Sequence, residues 1–403
     1  VNEITSDHKY EALAAWLVDK LPATGVCVTA LTLAGTGNSA QTFFAKASCV
    51  QGGTPTELEL VIRRQNQGSD FFLDADLDLP YQMMRVVAEC SDVPVPRMVG
   101  IERDGAVLGA PFLVMHKCEG RVVHQVPNYN VQGWLKDLPT DQRGTVWRNG
   151  LHVLARIHQL DWTQGFNFLN QPARGAPGLD QYLHMVTDWY RWARGDREHP
   201  VSDAAIDFLM RECPTEAPVG VLWGDPTSAN MLFRDDLTVS AVIDWEMAAL
   251  GPPEVDVAWW LFFDDLFSLG MGVPRLAGLP DRATTIAWYE TYAGTKLADL
   301  HWYDVLAALR MAIIGMRAAD RQIGLGRIPE STTARTHSPF MRMLAAKLGE
   351  PQPEVGQDFI DLMRAMGMDE PGPGVTASNG NGRGQWKGQK YEAFRQRHLG
   401  SGI

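Results

Sequence analysis

Long hydrophobic runs are missing from this chain. The longest apolar stretches, such as Val257–Phe263, reach only seven residues, whereas a membrane-spanning helix needs about 20. A transmembrane protein is therefore not expected. The first residues, from Val1 to Lys9, lack the basic-then-apolar pattern of a signal peptide, and the start at Val1 instead of methionine reads as a processed or trimmed end. Cysteine is scarce. Cys27, Cys49, Cys90, Cys118 and Cys213 are odd in number, scattered and without a C-x-x-C pair, which argues against a disulfide framework or zinc site and for a reducing cytoplasm. Basic charge is also short, with 36 Lys and Arg against 48 Asp and Glu, a net of −12. Such a chain does not steer towards nucleic acid or an anionic membrane. Acidity of this size mainly serves solubility.

What is present is ample core material: 45% of the 403 residues are apolar and 21% charged, ordinary for a globular protein of two or three domains. Tyr10–Leu21 carries Leu13, Trp16, Leu17 and Leu21 at helical spacing. Three β-branched runs follow, Val26–Leu33, Thr42–Cys49 and Leu58–Ile62, separated by Gly-rich turns at Gly35-Thr36-Gly37-Asn38-Ser39 and Gly52-Gly53-Thr54-Pro55. A helix around Tyr81–Glu89 and strands Gly100–Arg103 and Phe112–His116 complete a β-β-β-α-β-β lobe. After Gly120 helical periodicity dominates, at Val146–Gln159, Leu179–Trp192, Ser202–Arg211, Pro253–Phe267, Thr284–Tyr292 and Trp302–Gln322, interrupted by a strand-loop-strand insert at Gly220–Trp245. The pattern predicts a two-lobed α+β architecture. From about Gly349, prolines and then a Gly-Asn-rich run read as a linker to a basic end.

The insert carries the chemistry. Its apolar runs Met231–Phe233 and Val239–Ile243 flank a turn, and Asp225, Asn230 and Asp244 stand at their ends. Phosphoryl transfer needs this set. One carboxylate positions the attacking hydroxyl and takes its proton, while an amide and a second carboxylate hold Mg²⁺ on nucleotide phosphates. A kinase catalytic loop has the same spacing, Asp then Asn five residues on, with the metal-binding Asp on the next strand-turn. Turn-forming Asp and Asn residues are the plain alternative, made unattractive by the Ile243-Asp244-Trp245-Glu246 run and the upstream glycine loop.

Trp223-Gly224-Asp225 with Asn230, and Val242-Ile243-Asp244-Trp245-Glu246, resemble the aminoglycoside phosphotransferase / choline kinase family, which has a protein-kinase-like fold. Asp92-Val93-Pro94-Val95-Pro96-Arg97, Leu108–Met115 with Glu119-Gly120-Arg121-Val122, Leu154–His158 and Asp256–Trp259 extend the resemblance across roughly residues 10 to 325. The hinge wording is similar to kinase-like domains fused to some acyl-CoA dehydrogenases. The resemblance implies an ATP- and Mg²⁺-dependent phosphotransferase acting on a small-molecule hydroxyl: a hydroxyacyl-CoA, aminoglycoside, amino alcohol or sugar. It implies Asp225 as catalytic base, Asn230 and Asp244 as metal ligands, and nucleotide contacts from Gly35, Gly37, Asn38, Ser39, Met115 and Lys117. Residues 1–118 would be the nucleotide-binding lobe, 119–348 the helical lobe with catalytic loop and acceptor site, and 349–403 a linker and basic tail.

The chain departs from the family pattern at several points. Trp223 stands where a histidine is common. Arg63 or Arg64 stands where a lysine would grip the phosphates, and the two are not equivalent chemically. Strand alternation sends them to opposite faces, and Arg63 is the candidate. No glutamate stands at the expected place in the following helix, leaving Asp76, Asp78 or Glu89. These departures motivate an alternative, a nucleotide-binding pseudokinase or scaffold.

Four further features point less sharply. Trp259, Trp260, Phe262, Phe263 and Phe267 read as helix core, with one ring able to line an acceptor pocket. Arg310, Arg317 and Arg321 share a helical face that could meet an anionic acceptor. Between Asp244 and Asp304 ten acidic residues meet three basic ones, a bed that would suit an amine. The tail from Ala377 has five basic residues and one glutamate, leaving −16 for the remainder. Its Tyr391, Phe394 and His398 fall on one helical face, a candidate for docking a partner.

Overall fold

A computed structural model describes residues 6–36, 40–66, 71–73, 76–366 and 368. Gly37, Asn38, Ser39 and the basic tail lie outside the described residues. The chain divides into two compact units. Unit 1 comprises Val1–Gly120 with Ser240–Ala248, and unit 2 comprises Arg121–Val239 with Ala249–Ile403.

Unit 1 opens with helix α1 (Ser6–Val18), then strands β1 (Thr24–Thr36), β2 (Ala40–Gln51) and β3 (Thr54–Gln65), helix α2 (Asp78–Cys90), and strands β4 (Met98–Glu102) and β5 (Phe112–His116). The strands form one antiparallel sheet in the order β1-β2-β3-β5-β4. Strand periodicity builds the core directly. Ala45, Ala47 and Cys49 of β2 and Leu58, Leu60 and Ile62 of β3 are buried at every second position. Leu13, Leu17 and Leu21 join Leu58, Leu60, Ile62, Phe112 and Val114 in one hydrophobic cluster. Burying each such aliphatic side chain contributes about 1.5–3 kcal/mol. The same alternation gives Arg64 the face of Leu60 and Ile62, and gives Arg63 the opposite face with Glu59 and Val61.

Unit 2 contains α3 (Trp134–Asp137), α4 (Thr140–His158), α5 (Leu179–Arg194) and α6 (Pro200–Arg211), then strands β6 (Gly220–Leu222) and β7 (Met231–Phe233). Strand β8 (Val239–Val242) leads out of it, and the chain returns at β9 (Ala249–Gly251), which pairs antiparallel with β6. Helices α7 (Glu254–Asp265), α8 (Arg282–Ala293), α9 (His301–Gly324), α10 (Pro339–Leu348) and α11 (Gln357–Ala365) follow. Helix α9 lies against α5, α6, α7, α10 and α11, and is buried around most of its girth, as a central helix must be. Helix α4 approaches α7 and β7 closely at Gly150, where a Cβ would lie 2.7 Å from Trp260 and 3.2 Å from the sulfur of Met231.

The architecture is α+β, as the sequence pattern predicts. Several boundaries differ, two of them in kind. The helix expected over Pro253–Phe267 ends at Asp265 and passes into a π-turn at Leu266–Gly270. The stretch expected as linker from Gly349 contains α11, because Phe359, Ile360 and Leu362 are buried and Phe359 packs edge-on against Phe340. The flanking prolines mask that apolar face in composition. Among the described residues, no helix is long and apolar enough to cross a membrane.

His199, just before α6, is 2% exposed, and neither ring nitrogen has a hydrogen-bond partner. Burial first, and then the neighbouring Arg197, push its pKa down to about 4, against the pull of Asp203. An unfolded histidine titrates near 6.5, so between those values only the unfolded chain takes up the proton. This stability is complete above about pH 6.5 and falls as the pH drops towards 4, by up to about 3 kcal/mol. Urea unfolding of His199→Gln against pH is expected to be flatter than wild type in that window, and parallel curves would refute the assignment.

Candidate active site

The loop after β6 turns sharply at Gly224, whose φ of +89° is a backbone conformation that L side chains rarely adopt. Asp256 on α7, fully buried, holds this turn. It accepts the Trp223 N–H at 2.8 Å and the Gly224 N–H at 3.1 Å. His158 at the end of α4 places Nε2 3.1 Å from the same carboxylate, with its Nδ1 2.7 Å from the Tyr289 hydroxyl. From α9, Arg310 donates to the Gly224 carbonyl at 2.5 Å. The turn is thus fixed through its N–H groups by one helix and its carbonyl by another.

Asp225 follows, and each of its oxygens receives an N–H. The Trp259 indole donates to Oδ1 at 2.7 Å, and the Asn230 amide donates to Oδ2 at 2.7 Å. The spacing of five residues is closed by a short 3₁₀ turn, Ser228–Asn230, in which Asn230 N–H donates to the Thr227 carbonyl at 3.0 Å. An ionised carboxylate only accepts, so the amide nitrogen of Asn230 faces Asp225. Its oxygen is the atom it can offer a cation.

In unit 1 the returning segment Ser240–Ala248 is anchored by Val242 N–H to the Pro94 carbonyl at 2.7 Å and Ser240 hydroxyl to the Glu119 carbonyl at 2.5 Å. Trp245, fully buried, fastens it further. Asp244 sits between these anchors with φ +64°, a left-handed conformation that Asp tolerates better than most residues. Arg63 Nη1 lies 2.9 Å from Asp244 Oδ1, and Nη2 lies 3.7 Å from Glu246. Asp244 holds the Arg63 pKa above its usual value, against burial and with help from Glu246. Arg64 is engaged elsewhere, donating to the Leu108 carbonyl at 2.9 Å and the Gln41 amide oxygen at 2.5 Å.

The three acids considered as partners of the β3 arginine are engaged locally. Asp76 accepts from Leu79 N–H, Asp78 pairs with Arg103, and Glu89 pairs with Arg85. Arg63 instead meets acids 181 and more residues away in sequence. Met115 is buried in β5 between β3 and β4. Lys117 gives its N–H to the Glu59 carbonyl at 2.9 Å, and its ammonium lies 3.1 Å from the Glu59 carboxylate. Gly35 lies in β1 opposite Thr42.

Among the described residues, no group of three or more His, Cys, Asp or Glu side chains is arranged to hold a metal. Mg²⁺ that arrives with a nucleotide needs only one or two carboxylates beside the phosphates. The carboxylate of Asp244 in unit 1 is a hard oxygen donor of that kind, and the amide oxygen of Asn230 in unit 2 is another. The sequence reads Trp259 as helix core with one ring able to line an acceptor pocket, and Arg310 as one of three arginines on a face that could meet an anionic acceptor; it gives His158 and Asp256 no part in holding the loop. The usable signal was Asp256 itself, a carboxylate inside the apolar helical run Val255–Phe263, where an acid needs a buried donor.

The fold is kinase-like in architecture, with five antiparallel strands in unit 1 and a helical unit 2. Residues 31–288, more than half of the chain, match the profile of the phosphotransferase enzyme family (APH), and the chain belongs to that family. Acyl-CoA dehydrogenase family member 10 of Mus musculus is 26% identical over 228 residues, 56% of this chain and 20% of that protein, so the chain spans about a fifth of that relative. A solved structure from Ralstonia eutropha, provisionally named an aminoglycoside phosphotransferase, is similar with a TM-score of 0.60 at 23% identity, covering 84% of this chain and 96% of that one. A thermostable mutant of aminoglycoside phosphotransferase APH(4)-Ia, in ternary complex with ADP and hygromycin B, gives a TM-score of 0.50 at 18% identity over 88% and 98%. Both structures are alike in fold.

Proposed function

We propose that this chain is an ATP- and Mg²⁺-dependent phosphotransferase that moves the γ-phosphate of ATP to a hydroxyl of a small molecule. The observation that carries the reading is Asp225, a carboxylate fixed at both oxygens on a loop that Asp256 and Arg310 hold rigid. Asp225 orients the acceptor hydroxyl and takes its proton as the acceptor oxygen bonds to phosphorus and the bond to ADP breaks. Asn230 and Asp244 would hold the Mg²⁺. Mg²⁺ bound with ATP supplies charge neutralisation on the phosphates. Arg63 counters phosphate charge, and the glycine loop at Gly35, Gly37, Asn38 and Ser39 covers the phosphates with backbone N–H groups. Met115 and Lys117 meet the adenine through the backbone. With its N–H already donated to Glu59, Lys117 would use its carbonyl. Catalysis is then mainly positioning and electrostatic compensation.

The scaffold alternative draws on Arg63 in place of a lysine. The 2.9 Å approach of Arg63 to Asp244 weighs against it, since a cation beside the proposed metal carboxylate is retained.

The charge clues to the acceptor are largely spent within unit 2. Asp264 pairs with Arg275, Asp304 with Arg282, and Glu290 with Lys296, while Asp281 caps α8 and Asp256 holds the loop. This removes much of the bed for an amine. Arg317 pairs with Asp320 and lies 3.9 Å over the Trp192 ring, so it is no open anion site. The name of the mouse relative supports a hydroxyacyl thioester over an aminoglycoside, an amino alcohol or a sugar.

The test is phosphate transfer from labelled ATP, with and without EDTA, across hydroxyacyl-CoAs, aminoglycosides, amino alcohols and sugars. Transfer to one class that EDTA abolishes is expected. Absence of any Mg²⁺-dependent nucleotide binding would sink the reading.

A further inference from the structure

The sequence reads Trp259 as one ring in an apolar helix, and the family reading assigns it nothing. We propose that Trp259, clamped by Arg310, is a positioning residue that sets the direction of the Asp225 carboxylate. The inference rests on Asp225 being the base of the proposed transfer.

Three observations carry it. The indole N–H, on a side chain only 1% exposed, donates to Asp225 Oδ1 at 2.7 Å. A buried indole needs some acceptor, and here that acceptor is the carboxylate, so the bond is charge-assisted. The ring itself cannot turn freely. Phe262 stacks on it at 6.0 Å and 21°, Phe263 tilts against it at 4.9 Å, and the Arg310 guanidinium lies 4.0 Å from its centroid. Arg310, also 1% exposed, joins the two parts, because the same guanidinium that covers the ring donates to the Gly224 carbonyl. Residue 224 is held by its backbone and residue 225 by its side chain, from α9 and α7 together.

The chemical consequence follows from what a donor does to a carboxylate. An N–H directed at Oδ1 pins that oxygen and so fixes the plane of the carboxylate. With Asn230 on Oδ2, it also limits the lone pairs on which Asp225 can receive the acceptor proton. A phenyl ring at position 259 keeps the surface beneath Arg310 and removes only the donor.

The test needs no acceptor. Protein labelled with ¹⁵N-tryptophan and ¹³C-aspartate is followed by NMR as Trp259→Phe, Asp225→Asn and wild type. One of the thirteen indole signals should vanish in Trp259→Phe, and the same signal should move upfield in Asp225→Asn at pH 7. The Asp225 carboxyl ¹³C signal should move in Trp259→Phe at pH 7, because the donor to Oδ1 is lost while the ring surface is kept. An indole signal unmoved by Asp225→Asn, or an Asp225 carboxyl signal unmoved by Trp259→Phe, overturns the proposal. Should Trp259→Phe fail to fold, the Asp225→Asn spectrum decides. Failure of the underlying reading is separate and visible: Asp225→Asn would then transfer phosphate at the wild-type rate, whatever the indole does.

Discussion

Asp225→Asn is expected to lower phosphate transfer by about 10²–10⁴-fold, the usual contribution of a positioned general base, while MgATP affinity changes by less than about threefold. The two effects separate because Asn keeps the size and can still accept the Trp259 N–H or face Asn230, but it cannot take a proton from the acceptor. In the proposed mechanism Asp225 meets the acceptor hydroxyl, and the phosphates are left to Arg63, the glycine loop and the metal. Transfer measured at saturating acceptor, beside calorimetric titration of MgATP, reads both quantities. Normal turnover would remove Asp225 from the chemistry. A loss of nucleotide binding as large as the loss of turnover would mean that the substitution had disturbed the loop itself.

Asp256→Ala is expected to cost about 3–5 kcal/mol of stability, the range seen when one partner of a buried charged network is removed. The side chain is fully buried, and its loss would strand the N–H groups of Trp223 and Gly224 without an acceptor, together with the Nε2 of His158. Each unsatisfied buried group carries a penalty of about 1–3 kcal/mol. Asp256→Asn keeps one acceptor oxygen but turns an amide N–H₂ towards groups that are donors, so it should lose less than alanine yet more than 1 kcal/mol. Urea unfolding of both variants measures this. Turnover should fall with stability here, since Gly224 and Asp225 are adjacent in the chain. An Asp256→Ala protein as stable as wild type would show that the turn is held by the Arg310 contact and β6–β9 pairing alone.

Much of the fold was legible because it is coded by short periods. Leu58, Leu60 and Ile62 announce a strand with one buried face, and Leu13 and Leu17 announce a helix to cover it. The five-residue step from Asp225 to Asn230 was legible for the same reason, being closed within one turn of chain. Helix α11 was not, since the prolines around it dominate composition while its buried residues are only Phe359, Ile360 and Leu362. The choice between Arg63 and Arg64 was half legible: alternation separates the two faces without saying which one meets the acids.

Residue types and local spacing by themselves determined the α+β class and the order of most of its elements, and they single out Asp225, Asn230 and Asp244 as the proposed set. Only the tertiary structure decided what surrounds that set. Asp256 reaches the loop from 33 residues away, Trp259 from 34, Arg310 from 86, and Arg63 reaches Asp244 across 181. Each of these side chains is identical in sequence to others that do something different: Arg317 stacks on Trp192, Arg64 serves the sheet, and Trp260 fills the core beside α4. Period and spacing are properties of a few neighbouring residues. Which buried polar group finds which partner depends on packing between elements distant in the chain, because a donor or acceptor shut away from water must take whatever partner the packed core brings within 3 Å or so.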